Sequence, residues 1–220
     1  MDRKSRLKSS LGNFLRSLFD LMVLNIVWFL CSIPVFTIGP ATSALCRVMI
    51  KQARDESPTS VLKEFFLAFR RDFGKAVVLG LLSLFAAAVA VSDYLYAVSL
   101  GGMMKAVFLI VAVIVGSIAA SFASYVFPLH AFYGNTISGH IKNALALAAS
   151  CPAETVLIWI CFAVPAAALI FLPEIVIIYL GFLYILFGIS APAWFAAKYQ
   201  AKVLARFDGA QDRQKEQSED

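Results

Sequence analysis

The side chains of this chain that could do chemistry are few and widely spaced. His130 and His140 lie outside any H-E-x-x-H pattern and away from a carboxylate cluster, so they read as polar contacts at an interface and not as metal ligands. Cys31, Cys46, Cys151 and Cys161 form no C-x-x-C pair and sit in or beside apolar runs, as small hydrophobes of a reducing compartment do. No G-x-x-x-x-G-K-S/T phosphate loop and no G-x-S-x-G nucleophile turn is present, and no helix carries the acidic pair that a proton-coupled pump needs. Polar groups inside apolar runs then become the leading candidates. Asp20 and Asn25 are two of them, and Asn25 lies deeper, where a lone asparagine commonly bonds a neighbouring helix. Arg47, Lys51 and Arg54 recur at i, i+4 and i+7, a basic stripe suited to an anionic group or to lipid headgroups. No catalytic residue, cofactor or metal ligand is expected, and the chain is not read as an enzyme.

The elements that must hold these groups are set by an unusual composition. Of 220 residues, 60% are hydrophobic and 15% charged, with mean hydropathy +0.80, whereas soluble domains carry about a quarter charged residues. Of the 33 charged residues, 27 fall in three stretches, Met1 to Arg16, Arg47 to Lys75 and Lys198 to Asp220. This excludes a disordered chain, a nucleic-acid binder and a secreted disulfide scaffold, and it makes lipid the solvent for most of the protein.

A spanning helix needs about 20 mostly apolar residues. Five runs meet or approach that length, at about 18–38, 76–96, 106–127, 153–172 and 175–194, predicting an all-α polytopic membrane protein with four to five transmembrane helices. Pro34 with Gly39 and Pro40 breaks the first run, Gly101-Gly102 follows the second, Pro128 ends the third, Pro165 kinks the fourth and Pro173 separates the last two. Three further segments, about 41–55, 59–73 and 136–149, read as interfacial amphipathic helices, the second opened by Ser57 as N-cap and Pro58 as first helical residue. The domain division is a basic cytoplasmic arm 1–17, one membrane domain 18–197 and a charged cytoplasmic tail 198–220. The first run has a basic flank and small residues after it, yet it exceeds the apolar core of a signal peptide and further spans follow, so it is read as retained.

Orientation leaves two arrangements open. If all five runs cross, basic residues favour the tail side by 13 to 6, but Arg3, Lys4, Arg6, Lys8 and Arg16 are stranded outside. If the Pro/Gly break turns the stretch from Leu18 to Ile50 into a re-entrant helical hairpin, 18 of the 19 Lys/Arg share the cytoplasmic side and only Lys105 lies outside. The C-terminus is cytoplasmic in both.

Two features suggest contact surfaces. In the segment 59–73, Leu62, Phe65, Phe66, Phe69 and Phe73 share one stripe, with Lys63, Glu64, Arg70 and Arg71 on other faces. Such a helix packs on the bundle or docks a cytoplasmic partner, and Phe65, Phe66, Phe69, Arg70 and Arg71 are the candidate partner surface. In the third run Gly116, Ala120 and Ser124 form a small-residue face that lets helix backbones approach.

The string from Asn25 to Leu45, N-x-x-W-x-x-C-S-x-P-V-x-T-I-G-P-A-T-x-A-L, resembles the YesL-like family of bacterial membrane proteins of unknown function. Glu64 to Arg70 and Asp72 to Lys75 are similar to the family's pattern, more weakly Phe127 to Leu129 and Lys142 to Leu145; Cys46 departs from the tyrosine common there. The resemblance implies the plasma membrane of Gram-positive-type bacteria, genes near those for carbohydrate uptake by ABC transporters, no enzyme activity and no established ligand. The expected role is an accessory or regulatory partner of a carbohydrate ABC transport system, touching its permease subunits and the lipid bilayer. The alternative is a small transporter with a substrate site at the broken first helix, and the candidate functional residues are Asn25, Pro34, Gly39, Pro40 and Arg47.

Overall fold

A computed structural model describes residues 3–56, 60–171, 181, 184 and 186–219, with side chains placed from Arg16 to Gly209 inside those limits except at 168–171. The described elements are α1 (Arg3–Ser32), a 3-10 turn (Val35–Thr37), α2 (Ile38–Ala53), α3 (Val61–Arg70), α4 (Phe73–Ser99), α5 (Gly102–Phe132), α6 (Ile137–Ser150), α7 (Pro152–Phe171) and α8 (Ser190–Glu219). No strand occurs among the described residues. The all-helical expectation therefore holds.

Helices α4 and α5 form a long antiparallel hairpin because the chain is apolar through both and interrupted only at Gly101-Gly102. Gly102 takes φ +61°, a left-handed conformation natural to glycine. Tyr96 and Phe108 meet edge to face beside this turn, and at the other end Lys75 Nζ donates to the Asn135 carbonyl at 3.3 Å. With 27 and 31 residues, these two are the helices among the described residues that are long and apolar enough to cross a membrane by themselves. At 1.5 Å per residue each exceeds the roughly 30 Å hydrocarbon core. Phe85, Val91, Ile110 and Val113 point outward from them, as lipid-facing side chains do. The pair α6 and α7, bent by 101° at Cys151, supplies a third span only if the two count together, so the described residues support two or three spans of the four to five expected. Most of the run 175–194, with the turn at Pro173, lies outside the described residues; its last residues, from Ser190, open α8.

At the basic end of this hairpin the remaining helices pack into a core around α2. Ala41, Ala44, Leu45, Val48, Met49 and Ile50 are all essentially inaccessible. The segment 41–55 was expected to lie along the interface; it is instead the buried hub, touched by α1, α3, α4, α5 and α8. Its small residues at the start admit neighbouring backbones, and its larger ones farther on fill the space between helices.

Two boundaries differ from the sequence pattern. Helix α5 does not stop at Pro128 but runs to Phe132. Proline lacks the N–H that would bond the Ser124 carbonyl, and Gln200 Nε2 of α8 donates to that oxygen at 2.9 Å, replacing the lost bond. Helix α3 begins after Ser60, whose hydroxyl accepts the Lys63 N–H, so the described cap lies beyond Ser57-Pro58, which fall outside the described residues. Helix α6 matches expectation closely: Thr136 caps it by accepting the Gly139 N–H at 3.1 Å.

Candidate functional site

The break in the first apolar run is a packed turn. Helix α1 ends at Ser32, leaving carbonyls without helical partners. Thr37 Oγ1 lies 2.5 Å from the Cys31 carbonyl and 2.6 Å from that of Pro34, and the Thr37 N–H donates to the Pro34 carbonyl. Local side-chain bonding of this kind lets a chain turn without water. Around it Ile33, Pro34, Val35 and Phe36 are exposed. Gly39 and Pro40 are buried. A methyl group on Gly39 would lie 2.2 Å from the Ala76 carbonyl and 2.8 Å from Gly80 Cα, and one on Gly80 would lie 2.6 Å from Gly39 Cα. The glycines thus let α2 and α4 touch backbone to backbone.

That contact fixes where the turn sits. Gly80 is only about 10 Å along α4 from Phe73, while the whole helix is about 40 Å long. Beyond the turn the chain comes back along α1: Trp28 Nε1 donates to Thr42 Oγ1 at 3.2 Å, and Ser60, Val61 and Leu62 line a hollow with Arg16 and Asp20. Asn25, fully buried, serves this packing. Its Oδ1 accepts the N–H groups of Ile189 and Ser190 at 3.0 and 2.9 Å, and its Nδ2 donates to the Tyr184 carbonyl at 3.5 Å. An α1 side chain therefore caps the N-terminus of α8, satisfying donors that helix start leaves open.

The basic stripe of α2 also turns inward. Arg47 Nε and Lys51 Nζ reach Glu64 Oε1 of α3 at 2.7 and 2.8 Å. A second Arg47 nitrogen donates to the Ala131 carbonyl at 2.5 Å, shared with Arg71 at 3.4 Å, which places two cations on the negative C-terminal end of α5. Arg54 lies 3.7 Å from Asp208, and Arg47 and Arg54 both sit over the Phe132 ring. Burial works to raise the Glu64 carboxyl, but the two bonded cations outweigh it and hold it below the ordinary carboxylate value. Tyr133, which donates to Asp208, is pushed above the usual phenol value by burial and by that carboxylate. The stripe suited to an anion or to headgroups is thus largely occupied by the protein's own carboxylates.

Helix α3 divides the expected partner surface. Phe65 is fully buried in the core and stacks on Phe69, so it is no surface residue. Phe66 is 44% exposed, with Leu62 and Leu67 beside it and Arg70 and Arg71 also exposed. The outer face is therefore Leu62, Phe66 and Leu67 flanked by basic groups.

A buried cluster is less visible in the sequence. His130 and His140, expected at the interface, are 4% and 1% exposed, with ring centroids 5.5 Å apart. Ser43 Oγ lies 2.9 Å from His130 Nδ1 and 3.3 Å from the Phe127 carbonyl. The cluster ties α2, α5 and α6 together. Only the matching histidine types hinted at it, since nothing local links Ser43 to a residue 87 positions away. No group of three or more His, Cys, Asp or Glu suited to a metal occurs among the described residues.

A helical protein with membrane-length helices and a buried polar cap is the class that this geometry defines. Residues 21–94, from the middle of α1 into α4, match a family model described as "Protein of unknown function, DUF624". The chain is also similar to the uncharacterized protein YesL of Bacillus subtilis (strain 168), 27% identical over 210 residues that cover 94% of this chain and 95% of that protein. The chain is thus similar to the YesL-like proteins, which are of unknown function. No solved structure matches it. The matched stretch contains both partners of the Gly39–Gly80 contact and of the Arg47–Glu64 bond.

Proposed function

We propose that this is a non-catalytic protein of a bacterial cytoplasmic membrane that acts as an accessory or regulatory partner of a carbohydrate ABC transport system, docking on its permease subunits through α3. The observation that carries the reading is the outer face of that helix. Leu62, Phe66 and Leu67 stand exposed although the helix already buries Phe65 and Ala68 against the core. Apolar side chains left outside a completed core, rimmed by Lys63, Arg70 and Arg71, suit a protein contact.

The orientation proposed with it has the N-terminal arm, α3 and the tail on the cytoplasmic side. The turn at 33–37 stays near the basic end of α4, which supports a first run that returns without crossing. Eighteen of the 19 Lys/Arg then obey the positive-inside tendency. The transporter reading has less support: the hollow beside the break, of about 380 Å³, is lined by Ile26, Phe29, Leu30 and Ile33, with no polar side chain to hold a sugar.

Affinity purification from native membranes tests the role. Transporter subunits should accompany the wild-type chain and be lost with the double substitution Phe66→Ala, Leu67→Ala. Recovery of the wild type without any transporter subunit counts against it.

A further inference from the structure

Helices α4, α5 and α6 enclose a groove of about 390 Å³ on the outer surface of the hairpin. Phe85 and Val89 of α4 form one wall, Val115 and Ala119 of α5 the other, and Ile141 and Leu145 of α6 cross its mouth. Its lining is apolar throughout. From Leu82 to Val89 the groove follows α4 for about 10 Å, starting about 10 Å beyond Lys75, the last charged residue before the apolar run. The groove therefore begins in the hydrocarbon of the leaflet that borders the basic end of the protein and runs to the bilayer midplane and beyond, the half-thickness being about 15 Å.

At the mouth the chemistry changes sign. Lys142 follows Ile141 and stands three residues before Leu145, hence on the same side of α6 as a groove-lining residue. It is exposed and pairs with no carboxylate among the described residues. Arg47, Lys51 and Arg54 are instead engaged with carboxylates, Lys202 and Arg206 with Glu154, and Lys75 with the Asn135 carbonyl. Two residues before Lys142, the His140 ring lies 5.5 Å from that of His130 near the C-terminal end of α5, so this unpaired cation stands toward the basic end of an apolar slot, which matches one kind of molecule.

We propose that this groove is a binding site for an anionic phospholipid, with one acyl chain between α4 and α5 and the phosphate-bearing headgroup at Lys142. The site rests on α4 and α5 spanning the bilayer and is independent of the transporter partnership. One basic residue near a headgroup favours an anionic lipid by about five-fold. Filling the slot should remove the lipid whatever its headgroup.

The test uses the full chain reconstituted in vesicles of phosphatidylcholine with phosphatidylglycerol, checked by flotation, then released into mild detergent for native mass spectrometry of retained lipid. The wild type should keep one lipid, with phosphatidylglycerol enriched about five-fold over its share of the vesicle. Lys142→Gln should keep a lipid but lose the enrichment, and Ala119→Trp should retain none. Should Ala119→Trp aggregate, Ala86→Phe closes the groove from the opposite wall. Wild-type protein that floats with vesicles but retains the two lipids in their input ratio overturns the site while leaving the span reading intact. A chain that fails to float overturns the span reading itself. A dimer disrupted by Ala119→Trp would show that a second copy, not lipid, occupies the groove.

Discussion

Replacing Gly39 by alanine should force α2 and α4 apart. The added methyl would lie 2.2 Å from the Ala76 carbonyl oxygen and 2.8 Å from Gly80 Cα, where ordinary contact begins at 3.4 Å. One helix must therefore move by 1.2 Å, the difference between 3.4 and 2.2 Å. Both obstructing atoms are main chain in a helix, so no side chain can rotate away. Overpacking of a well-filled core costs about 1–3 kcal/mol, and rigid obstacles put this case at the upper end. For a chain of this length roughly 2–4 °C is lost per kcal/mol, so the midpoint should fall by about 6–12 °C. Thermal unfolding of the purified chain in mild detergent, followed by helical circular dichroism, measures it. Gly80→Ala, with its methyl 2.6 Å from Gly39 Cα, should cost a similar amount. The double variant should cost less than the sum, because helices separated once already make room for the second methyl. A Gly39→Ala protein within about 0.5 kcal/mol of the wild type would refute the close approach.

Three further outcomes follow from the same packing. Asn25→Ala leaves the Ile189 and Ser190 N–H groups without their acceptor and should cost about 1–3 kcal/mol, while Asn25→Asp, which keeps an acceptor, should cost less; thermal midpoints compare them. Gln200→Leu strips the donor that Pro128 makes necessary at the Ser124 carbonyl, with a similar expected loss of about 1–3 kcal/mol, whereas Gln200→Leu combined with Pro128→Ala should recover part of it by restoring the helical N–H. Glu64 sits below its ordinary value in the folded chain, so its stabilising share is fully present above the unfolded carboxylate value of about 4.3 and is lost as pH falls through the lowered folded one. Midpoints measured from pH 7 to 3 should therefore drop more steeply for the wild type than for Glu64→Gln, and parallel curves would remove Glu64 from the account of acid stability.

What could be read from the sequence was local. The runs at 76–96 and 106–127 foretold α4 and α5 because an uninterrupted apolar stretch needs no partner to be recognised. Pro34 and Gly39-Pro40 foretold the break, and the amphipathic segment 136–149 foretold α6. Pro128 misled because its missing donor is made good by Gln200, a partner far along the chain. Arg47, Lys51 and Arg54 suggested a lipid or anion surface because Glu64 and Asp208 reach them only after folding. The helical stripe that placed Phe65 beside Phe66 could not tell which of its edges faces α2, and the core took Phe65. Asn25 was legible as a polar group in an apolar run, but not as the cap of a helix that begins 165 residues later.

The return of the first apolar run is most directly tested by labelling with a membrane-impermeant maleimide in intact and permeabilised cells. A cysteine introduced as Ser9→Cys reports the N-terminal arm, and one introduced as Met103→Cys, 84% exposed beside the α4–α5 turn, reports the opposite end. Met103→Cys should label in intact cells and Ser9→Cys only after permeabilisation, each read against the unmodified chain. Labelling of Ser9→Cys in intact cells would mean that α1 crosses the membrane, and the hairpin beside Gly39 and Gly80 would not hold the arm and the basic cap on one side.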